Sequence, residues 1–484
     1  MKNMENVKRI WPVATLLVYF GLRLLFFAVV ISPSVPPDEV THFAVSRIFS
    51  TVLFLPVDSP ETYQYGLVTT IPWFYYWTMG KLLHLNFFGI SDLVFLRLCN
   101  IPFAFGTVYY AWRTLRLLTR DRLTQILLLV VMTNTVMFSF LSASVSYDNL
   151  TNLLAAMSVY YLLAFFTHRS GDLLAISFLC QLAGCLTKPT FLPLVLVLTA
   201  ILLGNEFRNL RLLPSSLVFW LRAPGMRGPG LILGILIGLV LNLQLYGGNY
   251  LYYRNLTPDM EVVLSPDIAM KYRTQARNMI FTQYKEGRVS KEKALEMASC
   301  ISDKGDRDCT IVLIEDYDYL IKSGEPVIGP LEYIPIWVET MCAGVFGVFA
   351  HLPMPITETK ILLFMGLMGL AVFAFLLRWR PAKEGWLPAY LAITTIFYAF
   401  FFMYAINYRT YLDYRATWLS LQGRYIFPVI VPIYVLSSCY LLRLFSGRSS
   451  RLVLCAVLSL FFIVSDFPFF LSSVTRGWFV WPPG

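Results

Sequence analysis

Apolar runs of bilayer length recur along this chain, and they leave few alternatives to a membrane-embedded helical fold. A helix needs about 20 mostly apolar residues to cross the hydrocarbon core. Only 14% of the 484 residues are charged, whereas soluble domains carry about 25%. The pattern therefore predicts an all-α polytopic membrane protein with about 11 transmembrane helices. The runs are 11–31, 94–115, 123–143, 149–167, 172–187, 189–204, 230–247, 358–377, 386–406, 424–443 and 451–466.

The basic residues indicate how these spans are oriented. With a cytoplasmic N-terminus, alternating spans place eighteen Lys and Arg residues inside and eight in the short outer segments. This asymmetry agrees with the positive-inside rule and puts the C-terminus outside. It also accounts for the net charge of +10 without nucleic acid as a partner. Because run 11–31 is long and many spans follow it, we interpret it as a retained anchor.

Two long segments then face outward, and they divide the chain into three parts. An N-terminal transmembrane module at 1–247 contains the first outer loop, 32–93. A polar external subdomain occupies 248–335, and a C-terminal transmembrane module occupies 336–484. The apolar run near 336–350 is interpreted as a re-entrant or surface helix, since a twelfth span there would undo the charge asymmetry.

Cysteine spacing gives one expectation for the external subdomain. Cys300 and Cys309 lie nine residues apart in its polar sequence, and an oxidising compartment would favour a disulfide between them. No cysteine and histidine set in the chain has the spacing of a zinc site. The sequence thus predicts no bound metal from its own ligand pattern.

The first outer loop opens with a short motif of prolines, acids and a histidine, Ser34-Val-Pro-Pro-Asp-Glu-Val-Thr-His-Phe43. The prolines end the first span and favour a new helix. Asp38 and Glu39 then lie at its positive end, and His42 shares a helix face with Asp38. Taken alone, the motif also fits an ordinary helix start. Its position at a membrane surface makes it a candidate catalytic site.

Other charged residues lie at the predicted outer ends of the spans, where charge near the bilayer is costly. Each has a structural alternative: Asp148 can cap its helix, and Lys188 can extend toward lipid phosphates. A guanidinium such as that of Arg424 grips phosphate with two parallel hydrogen bonds. Acids and cations at one depth suit a phosphate-linked lipid and an activated hydroxyl. The charged candidates are Arg97, Asp148, Lys188 and Arg424, and the neighbouring Tyr147 and Tyr425 are candidates for substrate contact.

These pieces resemble a bacterial family of uncharacterised integral-membrane proteins related to the GT-C glycosyltransferases, which use polyprenyl-phosphate-linked sugars. The proline–acid–histidine motif is the most specific part of the likeness, and 248–333 has no counterpart in it. The matching segments are Pro36-Pro-Asp-Glu-x-x-His-Phe43, Pro72-Trp-Phe-Tyr-Tyr76, Leu96-Arg-Leu98, Lys188-Pro-Thr190, Gly344-Val-Phe-Gly347 and Gly423-Arg-Tyr425.

The resemblance implies a GT-C-like fold and a role for each residue. Asp38 would be the general base toward an acceptor hydroxyl, with Glu39 beside it and His42 orienting or transferring a proton. Lys188 and Arg424, with Arg97 as a weaker candidate, would bind the donor phosphate. Substrate contacts would come from Tyr147, Asp148 and Tyr425.

The resemblance also implies the substrates and the cellular location of the protein. The donor would be a polyprenyl-phosphate sugar, and the acceptor a lipid-linked glycan, an envelope polymer or a protein. No cofactor is required, although a divalent ion stays open because other GT-C branches bind one. The protein would lie among the lipids of the bacterial cytoplasmic membrane with its active site outside. A transporter or flippase, and a polysaccharide polymerase or ligase, are the alternative functions.

Overall fold

A computed structural model describes residues 2–56, 62, 67–207, 227–258, 260–264, 273–348 and 354–480. Within these ranges the regular structure is helical, apart from two isolated antiparallel bridges, Ile31 with Phe479 and Val348 with Met354. This confirms the predicted all-α polytopic membrane fold.

The described residues before position 208 contain nine α-helices of at least seven residues, which we number in chain order. They are α1 (Lys2–Val30), α2 (Glu39–Ser50), α3 (Phe74–Leu83), α4 (Asp92–Leu118), α5 (Arg122–Thr133), α6 (Val136–Ser142), α7 (Tyr147–His168), α8 (Gly171–Cys185) and α9 (Leu192–Glu206).

The rest of the described chain contains ten more α-helices of at least seven residues, of which α10 and α16 each continue through a π-helical turn into a further helical turn. They are α10 (Arg227–Asn242), α11 (Arg273–Lys285), α12 (Lys291–Ser299), α13 (Lys304–Ser323), α14 (Tyr333–Phe346), α15 (Glu358–Arg378), α16 (Leu387–Phe401), α17 (Ile430–Leu442), α18 (Arg448–Ser465) and α19 (Phe467–Ser473).

Nine helices in the described part of the chain are long and apolar enough to span a membrane. The pair α5 and α6 makes a tenth if its 64° bend lies within one broken span. The remaining predicted run corresponds to α8, whose 15 residues fall short of the usual length. Each of the eleven predicted runs therefore corresponds to a helix, although two of them are not regular full-length spans.

A buried ion pair joins the first and last spans. Arg23 of α1 contacts Asp466, the residue at which α18 gives way to α19, and both side chains are at most 2% exposed. The same guanidinium donates to the carbonyl of Thr133, at the bend between α5 and α6. A charge at this depth is tolerated because it is paired and because it satisfies a carbonyl that the broken helix leaves free.

The helices α11 to α13 form a small subdomain with its own core, which includes Ile280, Phe281 and Leu313. Ala416 and Leu419 pack into this core as well, and they belong to the segment 415–422 that leads back to the membrane bundle. The segment 415–422 therefore connects the core of the subdomain to the membrane bundle.

The apolar run near 336–350 forms α14, which has 14 residues and hence a length of about 21 Å. It ends at Gly347, where the chain turns into the bridge between Val348 and Met354. Residues 349 and 350 lie outside the described part of the chain. The helix is too short for a straight crossing, and its depth in the membrane stays a prediction.

Backbone contact between α14 and the segment before α17 requires a glycine at position 423. A Cβ atom at that position would overlap the backbone of Gly344 and Val345. Because neither neighbour is a flexible side chain, the overlap cannot be relieved without moving one of the two segments. This contact places the following residue, Arg424, at the end of the bundle.

We predict that Gly423→Ala lowers the unfolding midpoint of the purified protein in detergent, at a cost of about 1–3 kcal/mol for overpacking. Gly366→Ala in α15 is the matched control, because a Cβ there meets nothing within 4 Å. Equal midpoints for the two variants would contradict the close approach of the two segments.

Candidate active site

The outer-loop motif places Asp38 and Glu39 in different surroundings. Helix α2 begins at Glu39, and Asp38 precedes it with a left-handed backbone, φ 57° and ψ 12°. The Asp38 side chain makes no capping hydrogen bond to the helix. Its carboxylate is 46% exposed, whereas that of Glu39 is 1% exposed. The two neighbouring acids therefore have different partners and different access to solvent.

Glu39 is fully engaged by Arg97. The guanidinium of Arg97 donates through Nε to Glu39 Oε1 at 2.8 Å and through Nη2 to Oε2. Its Nη1 donates to the carbonyls of Ala28 and Ile31 at 3.2 and 2.7 Å, and Glu39 Oε1 also accepts from the Val145 amide at 2.8 Å. This pair joins the end of α1, the start of α2 and the start of α7, and it has little capacity left for a substrate.

Asp38 belongs to a second group, in which charges alternate. Arg424 Nη2 donates to Asp38 Oδ2 at 2.7 Å, and Arg424 Nη1 lies 3.7 Å from Asp148 Oδ2. Lys188 donates in turn to Asp148 Oδ1. Two carboxylates and two cations thus form a continuous chain, and four of the residues predicted from the sequence converge at one end of the bundle. We call Asp38, Asp148, Lys188 and Arg424 the charge cluster.

Access to the charge cluster is uneven. The side chains of Asp148, Lys188 and Arg424 are between 2% and 5% exposed, so Asp38 is the member through which a ligand would first approach. The cluster carries no net charge when both acids are ionised. Nη1 of Arg424 is buried and lacks a hydrogen bond in the described structure. A guanidinium N–H of this kind can donate to a new oxygen partner without breaking an existing hydrogen bond.

The structural alternatives for Asp148 and Lys188 can be compared with the contacts. The N-cap of α7 is Ser146, whose hydroxyl accepts from the Asp148 amide at 3.3 Å, and the Asp148 carboxylate contacts Lys188 instead. Lys188 Nζ lies 4.7 Å from the ring centre of Tyr147 and 5.2 Å from that of Tyr425. The lysine is held between two aromatic rings and an acid, and it does not extend toward the lipid.

His42 lies beside the charge cluster rather than in it. Its Nδ1 is 2.9 Å from the hydroxyl of Tyr76, and its ring meets that of Tyr147 at a centroid distance of 4.4 Å. Nε2 is buried without a hydrogen-bond partner. Burial lowers the pKa of His42 to about 4 despite the nearby Asp38. The imidazole is therefore neutral at pH 7, and its free nitrogen can donate to or accept from a bound hydroxyl, depending on its tautomer.

Sequence reasoning missed two polar contacts at this site. Gln422 Oε1 accepts from Arg424 Nε at 2.6 Å, and Tyr76 is the partner of His42 described above. Tyr76 ends the matching segment Pro72-Trp-Phe-Tyr-Tyr76, and Gln422 directly precedes the matching segment Gly423-Arg-Tyr425. Their amide and phenol groups carry no charge pattern that would have singled them out.

Two further expectations from the sequence concern a disulfide between Cys300 and Cys309 and a bound metal ion. Cys300 and Cys309 are not bonded to each other; Cys300 Sγ lies 3.5 Å from the carbonyl of Glu296, and Cys309 Sγ lies 3.9 Å from Arg277 Nη1. In the described residues no three His, Cys, Asp or Glu side chains form a group that could hold a metal ion.

The spans and the charge cluster define the class of this protein: a multi-pass helical membrane protein with a neutralised group of four buried or half-buried charges at one end of its bundle. No protein-family model matches the chain, and no curated protein is significantly similar to it.

Two solved structures of ArnT from Cupriavidus metallidurans align with most of the chain. The apo form aligns at 12% identity and a TM-score of 0.34 over 89% of this chain and 77% of that chain. The form bound to undecaprenyl phosphate has the same identity and score over 97% of this chain and 91% of that chain.

We predict that Glu39→Gln destabilises the protein by about 3–5 kcal/mol, because it leaves the buried Arg97 guanidinium without its counter-ion. Glu296→Gln is the control, since the Lys293–Glu296 pair is more than half exposed on both sides and such pairs contribute little. Unfolding midpoints in detergent measure both. A Glu39→Gln protein as stable as the control would mean that the pair does not hold the motif in place.

Proposed function

We propose that this protein is an integral-membrane glycosyltransferase that moves a sugar from a polyprenyl-phosphate donor to an acceptor hydroxyl at the outer face of the membrane. The observation that carries the proposal is the contact between Arg424 and the half-exposed Asp38 at the membrane end of the bundle. The contact brings together two groups: a carboxylate that can accept a proton, and a cation that can bind a phosphate.

Asp38 is the general base in this proposal. The acceptor hydroxyl gives its proton to the carboxylate as its oxygen bonds to the sugar C1. The bond from C1 to the phosphate oxygen breaks at the same time, and the polyprenyl phosphate leaves with the electron pair. Direct displacement inverts the anomeric centre, as in inverting sugar hydrolysis where a carboxylate activates the nucleophile.

Arg424 and Lys188 stabilise the leaving phosphate. Preorganised cations act most strongly where negative charge develops in a site that excludes water, and both side chains are buried. Donor phosphate would compete with Asp38 for the guanidinium. Its arrival would therefore free the carboxylate and raise its proton affinity, because a nearby cation favours the ionised acid.

Glu39 and Arg97 have positioning roles in this proposal, in place of the catalytic and phosphate-binding roles expected from the sequence. Their mutual contacts and those to the backbone occupy nearly all of their polar atoms. His42, Tyr147 and Tyr425 line the charge cluster and are proposed to orient the sugar and the acceptor.

The alternatives differ in what they require of the structure. A transporter or flippase would need polar groups that continue across the bilayer. The charge cluster is confined to one end of the bundle. The deeper Arg23–Asp466 ion pair is buried, with both side chains at most 2% exposed. A polymerase or ligase would share the transfer chemistry and differ in its donor, a pyrophosphate-linked lipid. The charge cluster favours transfer over transport.

We predict that Asp38→Asn lowers the rate of sugar transfer by about 10²–10⁴-fold, the usual contribution of general-base catalysis, while the unfolding midpoint is retained. Transfer of radiolabelled sugar from a polyprenyl-phosphate donor to a membrane extract measures the rate. Asp92→Asn, an exposed acid on the same outer loop, is the control and should be fully active. Wild-type activity in Asp38→Asn would remove Asp38 from the role of base.

Measuring the affinity for the donor lipid distinguishes the role of the two cations from that of the base. We predict that Lys188→Ala and Arg424→Lys each weaken binding of polyprenyl phosphate by about 10–100-fold, which corresponds to the 1.5–3 kcal/mol of a charge-assisted hydrogen bond. Asp38→Asn should bind it as tightly as wild type or more tightly, because a competing carboxylate is gone. Arg409→Ala, an exposed cation, is the control. Unchanged affinity in both cation variants would contradict the phosphate site.

A further inference from the structure

A cavity of about 280 Å³ lies between the subdomain of helices α11 to α13 and the segment 415–422. One wall comes from α13, the opposite wall from the chain just beyond the last turn of α16, and the rim from the segment that follows α13. None of its residues belongs to the charge cluster. The polar and aromatic side chains that line it are Asp316, Tyr319, Glu325, Tyr411, Arg415, Thr417 and Trp418.

The rim of this cavity is fixed to the membrane bundle. Arg415 Nη2 donates to the carbonyls of Glu325 and Pro326 at 2.9 and 3.0 Å. Tyr411 accepts from the Ile328 amide at 2.8 Å, and Tyr408 donates to the Ile328 carbonyl at 3.0 Å. Side chains from successive turns of one helix thus hold the segment after α13 by its backbone. The cavity is preformed, which lowers the cost of ordering on binding.

Aromatic and charged residues line the cavity together. Tyr319 is 64% exposed and Trp418 is 44% exposed, although large aromatic residues usually bury most of their surface. Arg415 Nε is buried with no hydrogen-bond partner in the described structure. The carboxylates of Asp316 and Glu325 line the same space, and both residues are exposed.

We propose that this cavity binds an uncharged saccharide. The C–H faces of a sugar ring stack on exposed aromatic rings, and its hydroxyls donate to carboxylates and accept from a guanidinium N–H. A phosphate or uronate would be repelled by the two carboxylates, and a purely apolar ligand would cover the carboxylates without offering them a hydrogen-bond donor. A neutral glycan is the ligand class that satisfies aromatic faces, acceptors and a donor together.

The cavity is close enough to the charge cluster to hold part of the same substrate. Arg424 follows Trp418 by six positions, a span of at most about 22 Å. The connecting segment is anchored where the Ser420 carbonyl accepts from Asn407 at 2.9 Å, and Asn407 in turn accepts from Trp337 at 2.9 Å. Resting on the proposed function, this arrangement assigns the cavity to the glycan part of the acceptor, whose terminal hydroxyl would extend toward Asp38.

The test is saturation-transfer NMR on the full chain in nanodiscs, with a neutral N-acetylhexosamine trisaccharide, a uronic acid trisaccharide and spermine as separate probes. We expect the neutral trisaccharide to bind, with an affinity at least fivefold higher than that of the uronate. Trp418→Ala and Tyr319→Ala should each weaken it by about tenfold. Trp386→Ala, which removes another exposed tryptophan away from the cavity, should leave it unchanged.

Three results would overturn the proposal: no binding of the neutral trisaccharide, binding that is insensitive to both cavity variants, or a preference for the uronate or spermine. The exposed Tyr319 provides a variant that leaves the core intact if Trp418→Ala fails to fold. Asp38→Asn should bind the trisaccharide normally, and Trp418→Ala should bind polyprenyl phosphate normally. Failure of the saccharide site and failure of the charge cluster are therefore separate outcomes.

Discussion

The arrangement of this site depends on a single buried guanidinium. Arg97 is 2% exposed at the membrane end of its helix, and a charge there persists only when all its hydrogen bonds are satisfied. It meets that requirement with Glu39 and with the carbonyls of Ala28 and Ile31. Because those acceptors lie at the end of the first span and at the start of α2, satisfying Arg97 sets the turn between them.

That turn decides where Asp38 points. Because Arg97 holds the neighbouring Glu39, Asp38 adopts a left-handed backbone conformation, which aspartate tolerates better than most residues. Its carboxylate then accepts a hydrogen bond from Arg424, which lies 386 positions further along the chain. The tight contact of Gly423 with α14 places that arginine. Two local constraints, one on each half of the chain, thus bring an acid and a cation together at the membrane surface.

The sequence allowed the spans and much of the site to be predicted, because length, apolar runs and basic loops reflect the bilayer directly. It also marked Asp38, Asp148, Lys188 and Arg424, whose charge near a membrane is conspicuous in a linear reading. It could not assign their partners. Glu39 and Asp38 are adjacent and chemically alike, and only the three-dimensional contacts separate a buried anchor from an exposed acid. A pairing between distant helices leaves no local pattern.

The most direct measurement is a cryo-electron microscopy structure of the protein in nanodiscs with a non-hydrolysable polyprenyl-phosphate sugar analogue. We expect the phosphate within hydrogen-bond distance of Arg424 and Lys188, with the sugar C1 facing Asp38 and with the contact between Arg424 and Asp38 broken. The Glu39–Arg97 pair should be unchanged. A phosphate bound elsewhere, with the charge cluster intact, would contradict the assignment of this site as the transferase centre.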